Sequence, residues 1–424
     1  MKLYKHYIIF GIKPISSTFA KKNKLMTVLT FMFSCLLLGC SSSNASETNT
    51  PKLPTNATPV KIGHLYIPNN QVFEGIKGVL NSSNSKRTHF IQLGDSHTAA
   101  DVFTGEIRQL LQREFGNGGI GFIQPTEVTG IRSNLVTISS EQGKFSLLSS
   151  RSDQSPIFPL GGYLLDTKGN SGSIKLSPRK TVSSDNALQA RALYFTNSAA
   201  SMSINGNSLN LPPTNNLWKW SDAVKNVHLP VTITFSKNRS LKIGGYYLEN
   251  MSDKGIVFSA LGINGAQINY WDRWHHSWKQ SLKTLTPDVM LIAYGTNEAF
   301  GNNLDISAYA SDLNNRMRTL KSTYPNTLFI VIGPPDSQKI NKKNSQTCNQ
   351  SYSDQLARVI EIQKDSALKN GFAFWNWQES MGGSCSITRW LAQDMAKPDL
   401  VHLTTSGYTQ SANQFVKDLK RVLN

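Results

Sequence analysis

The sequence is short of cysteine, of long apolar runs and of blocked charge. Four cysteines in 424 residues leave Cys35, Cys40, Cys348 and Cys385 as all of its thiol chemistry. The N-terminal apolar run, Leu25 to Leu38, is too short for a comfortable membrane span. Basic residues are scattered rather than blocked, the pattern of a solvated surface rather than a nucleic-acid tail. No internal repeat is evident. What is present is ordinary for a globular chain: 39% hydrophobic residues, 17% charged, eight Trp and thirteen Tyr, enough for a sizeable core.

Residues 1–40 are a different kind of sequence. They hold six Lys and no Asp, Glu or Arg, then the apolar run, then Leu37-Leu38-Gly39-Cys40. A basic region, a short apolar core and a small residue before the processing point make a secretory signal peptide. Leu-Leu-Gly-Cys resembles a bacterial lipobox, which implies that Cys40 becomes the lipidated first residue; plain secretion is the alternative. Residues 41–59, rich in Ser, Asn, Thr and Pro, read as a flexible tether. Export places the protein at the periplasmic face of the envelope, anchored to a membrane through Cys40. Losing the signal lowers Lys+Arg from 44 to 38 against 27 Asp+Glu, so the net charge falls from +17 to about +11. Outside the cytoplasm such a charge suits an anionic envelope polymer or an anionic membrane surface, with no nucleic-acid partner. Cys348 and Cys385 remain as an even pair in an oxidising compartment. A disulfide is expected there, two buried free thiols being the alternative.

From His89 the chain alternates strand and helix patterns. Strand-like runs fall at 89–93, 256–261, 288–294, 328–332 and 372–377. Helical spacing falls at 101–115, 266–284, 306–323, 352–370 and 405–423. Near-continuous apolar strands between amphipathic helices mean a doubly wound α/β domain with a parallel five-stranded sheet, whose chemistry gathers at the strands' carboxyl ends. Residues 126–254 break this rhythm with short alternating runs such as Val231-Thr-Ile-Thr-Phe235. They read as an all-β sandwich or jelly roll inserted between 60–125 and 255–424.

Three segments lie where chemistry is expected. Gly94-Asp95-Ser96-His97 follows the first strand and opens a helix; Tyr294-Gly295-Thr296-Asn297-Glu298 follows the third; Asp399-Leu-Val-His402 precedes the last helix. Ester hydrolysis needs an activated hydroxyl, a base, an orienter for the base and donors for the oxyanion. Ser96 at a strand-to-helix turn exposes its Oγ and its N–H, and Asp399 can hold His402 while the other ring nitrogen faces Ser96. Gly265 can present an N–H, and Asn297 its side-chain amide, to the developing charge. A lone Gly-Asp-Ser is an N-cap turn, Asn297 alone a turn residue and Gly265 alone a packing glycine. No further His or acid stands at ligand spacing beside Asp399 and His402, so no metal is expected.

Taken in order, these residues resemble the four blocks of the SGNH (GDSL-like) hydrolases, a flavodoxin-like fold. The resemblance implies Ser96 as nucleophile, His402 as base and then acid, Asp399 as orienter, and an oxyanion hole from Ser96, Gly265 and Asn297. Gly94-Asp-Ser-His-Thr-Ala-Ala-Asp101, Phe115-Gly-Asn-Gly-Gly-Ile-Gly-Phe122, Tyr294-Gly-Thr-Asn-Glu-Ala299 and Met381-Gly-Gly-Ser-Cys385 are similar to segments of bacterial peptidoglycan O-acetylesterases. That implies O-acetylated peptidoglycan as partner and substrate, acetyl removal at C6 of N-acetylmuramic acid, no cofactor, and a carbohydrate-binding-module-like insert. A monomer is expected. The alternative keeps the triad and changes the polysaccharide, or transfers acetyl to a sugar. A glycan-binding lipoprotein without catalysis is a third reading, which the ordered set of blocks disfavours.

Overall fold

The computed structural model describes residues 58–180, 186–301, 304–339, 348 and 354–424. The expected signal peptide, the tether to Ala57 and Cys40 lie outside them. No helix among the described residues is long and apolar enough to cross a membrane.

Five parallel strands form the centre: Arg87–Gly94, Gly255–Gly262, Val289–Ala293, Leu328–Ile332 and Ala373–Trp375. Numbered along the chain, their spatial order is 2-1-3-4-5, the flavodoxin-like arrangement. The sheet is not five-stranded as expected but seven-stranded: a hairpin, Val60–Ile62 and Leu65–Ile67, adds antiparallel to its last parallel strand. Trp375 there pairs with Leu65, so the hairpin covers what would otherwise be an open edge.

Alternation along each strand sends side chains to two separate cores. Phe90 and Val289 face one; Ile91 and Met290 face the other. Helices Asn70–Ser82, Phe103–Phe115 and Thr405–Lys420 cover the first face, and Trp278–Thr284, Ile306–Thr323 and Asp354–Lys369 cover the second. The helix Asn70–Ser82 went unread in the sequence. Its signals are an Asn69 cap and Val72, Ile76 and Leu80 at four-residue spacing, all buried. The helix expected over 266–284 is two pieces, a 3₁₀ turn Ile268–Arg273 and the α-helix Trp278–Thr284. Trp274 between them is extended, and Trp271, Trp274 and Trp278 pack together in the core.

Between Gly119 and Asn250 the chain builds two antiparallel sheets that share a core including Ile174, Leu176, Leu165 and Tyr194. Gly119–Ile123, inside the range read as catalytic, pairs with Lys242–Asn250 of this sandwich. The sandwich is not a bead on a string. Phe158, Leu160, Phe195 and Trp218 join the same hydrophobic cluster as Ile91, Trp271 and Met290 of the parallel sheet. Trp218 N–H donates to Ser277 Oγ at 3.0 Å, and Trp220 Nε1 to Ser281 O at 2.8 Å.

Candidate active site

The first parallel strand, Arg87–Gly94, ends at Asp95, whose carboxyl group accepts the His97 N–H at 3.0 Å and caps the short helix Ser96–Ala99. Gly94 is required by close approach: a Cβ there would lie 2.1 Å from Thr98 Oγ1 and 2.7 Å from Ala293 O. Half-buried Ser96 therefore stands as the first residue of a helix at the carboxyl end of the sheet.

The other partners arrive from the opposite end of the sequence. Asp399 Oδ1 accepts the N–H groups of Val401 (3.0 Å) and His402 (2.9 Å), so the turn folds around its own carboxylate. Leu400 takes φ of 52° to make that turn, and its carbonyl accepts Gln338 N–H at 2.9 Å. Oδ2 meets His402 Nδ1 at 2.8 Å, and His402 Nε2 lies 2.9 Å from Ser96 Oγ. The structure thus brings Ser96, His402 and Asp399 into one hydrogen-bonded line. Partial burial would raise the Asp399 carboxyl, but hydrogen bonds from the His402 backbone and ring and from Val401 outweigh it and hold it below its usual value.

Gly265 and Asn297 meet on the adjacent side. Gly265 has φ of +70°, and Ile263 N–H donates to Gly94 O at 3.0 Å, laying this loop against the nucleophile turn. Asn297 Nδ2 donates to Ala266 O at 2.9 Å and lies 3.4 Å from Asp95 Oδ2. Buried Glu298 stitches the two loops, accepting Ile268 N–H (2.8 Å) and Gly295 N–H (3.0 Å). Burial pushes Glu298 up to about 7 and Asp95 up to about 8, so both carboxyls resist ionisation beneath the site.

Cys348 and Cys385 are joined in a disulfide with Cα atoms 5.7 Å apart. Gln338, whose N–H holds Leu400 O, also places Nε2 2.8 Å from Cys348 Sγ. No group of three or more His, Cys, Asp or Glu able to hold a metal ion occurs among the described residues.

Several residues went unassigned in the sequence. His97 is fully buried. Its Nδ1 lies 2.9 Å from Tyr408 Oη and its ring centroid 5.4 Å from that of His402. Burial drives it down to about 3, so a second positive charge does not arise behind His402. Asp101 forms a buried ion pair with Arg108 at 2.9 Å and accepts Asn134 N–H from the sandwich at 2.8 Å. The helix pattern over 101–115 showed only apolar positions, so this polar anchor left no periodic signal. Arg151, on a sandwich loop, lies against Gly265; nothing in its local sequence marks it.

A half-buried serine at the carboxyl end of the first parallel strand, bonded to an Asp-oriented histidine, is the constellation of a serine hydrolase. Residues 118–232 match the family model described as "Peptidoglycan O-acetylesterase, N-terminal", and residues 241–410 match the "GDSL-like Lipase/Acylhydrolase family". A solved peptidoglycan O-acetylesterase, "in action, 5 min", is 30% identical over 85% of this chain and 99% of its own, with a TM-score of 0.75. The chain belongs to the peptidoglycan O-acetylesterase family of GDSL-like hydrolases and is a carboxylic ester hydrolase. More distant solved structures include family two carbohydrate esterases from Cellvibrio japonicus (10% identity, TM-score 0.27) and Clostridium thermocellum (11%, TM-score 0.27, an active-site mutant). Each covers 68% of this chain and 98% of its own. No curated protein matches. Ser96 precedes both matched family ranges, so within the chain it is the strand-to-helix turn that singles it out.

Proposed function

We propose that the protein removes O-acetyl groups from peptidoglycan, at C6 of N-acetylmuramic acid, through an acetyl-Ser96 intermediate. The observation that carries this reading is the line from Ser96 Oγ to His402 Nε2 (2.9 Å) and from His402 Nδ1 to Asp399 (2.8 Å). His402 takes the Ser96 proton as Oγ attacks the acetyl carbonyl; the tetrahedral oxyanion meets the N–H groups of Ser96 and Gly265 and the Asn297 amide. Collapse expels the sugar oxygen, which takes the proton from His402. Water, deprotonated by His402, then attacks the acetyl-serine, and acetate leaves with Ser96 restored. His402 serves as base through the ring nitrogen that faces Ser96 Oγ. The relative's name supports the substrate, and the 30% identity over nearly its whole length supports carrying it across. The Cys40 lipobox supports an envelope-anchored enzyme whose catalytic part works at the wall.

The test is acetate release from O-acetylated peptidoglycan and from acetylated xylan, using chain that begins after Cys40, beside Ser96→Ala. Release from peptidoglycan alone, abolished by the substitution, is the expected result. Release only from xylan would move the activity to another polysaccharide. Transfer of acetyl to an added sugar in place of water would make the protein a transferase.

A further inference from the structure

Two loops of the sandwich converge on the loop that carries Gly265. One, at 128–134, hydrogen-bonds through Arg132 N–H to Ala99 O at 3.0 Å, and a Cβ on its Gly130 would lie 2.6 Å from Asn264 Nδ2. The other carries Arg151. A Cβ on Gly265 would lie 2.9 Å from Arg151 Cζ and Nη2 and 3.0 Å from its Nε, so the guanidinium is laid flat over the glycine. The Arg151 backbone is pinned on several sides. Ser150 N–H donates to Gly162 O at 2.8 Å, and Arg273 Nη1 donates to the carbonyls of Ser150 (2.8 Å) and Arg151 (3.0 Å).

The guanidinium itself is unspent. Among the described residues no carboxylate forms an ion pair with Arg151, although it is exposed. The acid closest in sequence, Asp153, is committed to its own loop: its Oδ2 accepts Ser149 N–H (2.8 Å) and Ser152 Oγ–H (3.2 Å). An acetyl ester is neutral, and the proposed donors to its oxyanion are Ser96, Gly265 and Asn297 rather than Arg151. An exposed fork of donors on a held backbone at the rim suits a planar carboxylate on the body of the substrate.

We propose that Arg151 is the carboxylate-binding residue of this active site, and that the sandwich serves catalysis by delivering it to the Gly265 rim. The inference rests on the reading of Ser96 as nucleophile and deepens the substrate assignment. The site selects an acetylated glycan that carries a carboxylate close to the ester. In peptidoglycan that group is the lactyl carboxylate of a peptide-free muramic acid or a carboxylate of the stem peptide. Arg151 binds and positions; it does not transfer protons.

The test uses the full chain and 4-nitrophenyl acetate as reporter, with N-acetylmuramic acid, its uncharged amide and muramoyl dipeptide as competitive inhibitors. The acid or the dipeptide is expected to inhibit at least tenfold better than the amide; whichever of the two is tighter identifies the source of the carboxylate. Arg151→Ala is expected to erase that advantage, and Arg151→Lys to keep part of it. Equal inhibition by acid, dipeptide and amide would overturn the proposal. So would an advantage that survives Arg151→Ala, or a fall in kcat on the reporter with the inhibition ratio unchanged, which would make Arg151 an oxyanion donor. Wild-type acetate release from O-acetylated peptidoglycan is measured in parallel. Its absence would sink the peptidoglycan assignment while leaving the carboxylate result readable.

Discussion

Asp399 holds His402 twice, Oδ2 to the ring Nδ1 at 2.8 Å and Oδ1 to the His402 N–H at 2.9 Å, and Oδ1 also accepts the neighbouring Val401 N–H at 3.0 Å. The carboxylate is both the orienter of the ring and the core of the turn. Asp399→Asn separates the roles, because an amide oxygen can replace Oδ1 while an amide N–H facing Nδ1 forces the wrong tautomer. A fall in kcat of about 10⁴-fold with a folded protein is expected. Steady-state kinetics beside thermal melting checks it. A loss of Tm as large as that of Asp399→Ala would mean that the turn, not the tautomer, had failed.

His97 makes stability depend on pH. Its folded pKa, about 3, lies below the ordinary value of 6.5. Between those values the unfolded chain binds a proton that the folded chain refuses, so this group's contribution is complete above about pH 6.5 and is lost as pH falls toward 3. His97→Phe keeps an aromatic ring near Trp377 and Tyr408 but cannot titrate. It gives up the Tyr408 hydrogen bond and so melts lower at pH 7. The gap to wild type is expected to narrow steadily as pH falls to 4. Differential scanning fluorimetry across that range reads it, and a constant gap would show that His97 is not the titrating group.

The parallel strands were legible because burial on both faces writes continuous apolar runs, and the 328–332 strand and 306–323 helix appear with the bounds their patterns give. Ser96, Asp399 and His402 were legible because a strand end and a helix start announce the first, and a tight Asp-x-x-His turn the others. What was not legible is whatever depends on contacts between distant segments. The edge hairpin has strands of only three residues, too short for a period. The break at Trp274 comes from tertiary packing of indoles that also fit a helix pattern. Arg151 and Gly265 stand far apart in the sequence, and only the folded sandwich brings them together.

The Cys348–Cys385 bridge links residues 37 apart, and Gln338 couples it to the catalytic turn through Cys348 Sγ on one side and Leu400 O on the other. Closing a loop of that length stabilises by about 4 kcal/mol in the chain-entropy model. Reduction, or the Cys348→Ser/Cys385→Ser pair, is expected to lower Tm and to reduce kcat before global unfolding, as Gln338 loses its fixed position. Activity measured under dithiothreitol at temperatures below the melting transition checks this. Unchanged activity together with a lowered Tm would uncouple the bridge from the turn.

Asp101 and Arg108 form a buried pair at 2.9 Å, both nearly inaccessible, and each has a further duty. Asp101 Oδ2 accepts Asn134 N–H at 2.8 Å, while Arg108 Nε donates to Phe258 O at 2.9 Å. The pair therefore ties the helix Phe103–Phe115, the second parallel strand and the sandwich loop at 128–134 together. Removing the acid alone strands a buried guanidinium, which costs about 3–5 kcal/mol. Asp101→Ala is accordingly expected to be more destabilising than the double substitution Asp101→Ala/Arg108→Met, which leaves no orphan charge and refills the space with an apolar chain. The single variant also frees the Asn134 N–H, so the loop beside Ala99 loses an anchor and KM for the polymeric substrate should rise more than KM for 4-nitrophenyl acetate. Chemical denaturation and paired kinetics on the three proteins check both halves. If the double variant proves the less stable, Arg108 contributes more through its packing and its bond to Phe258 O than it costs as an unpaired buried charge.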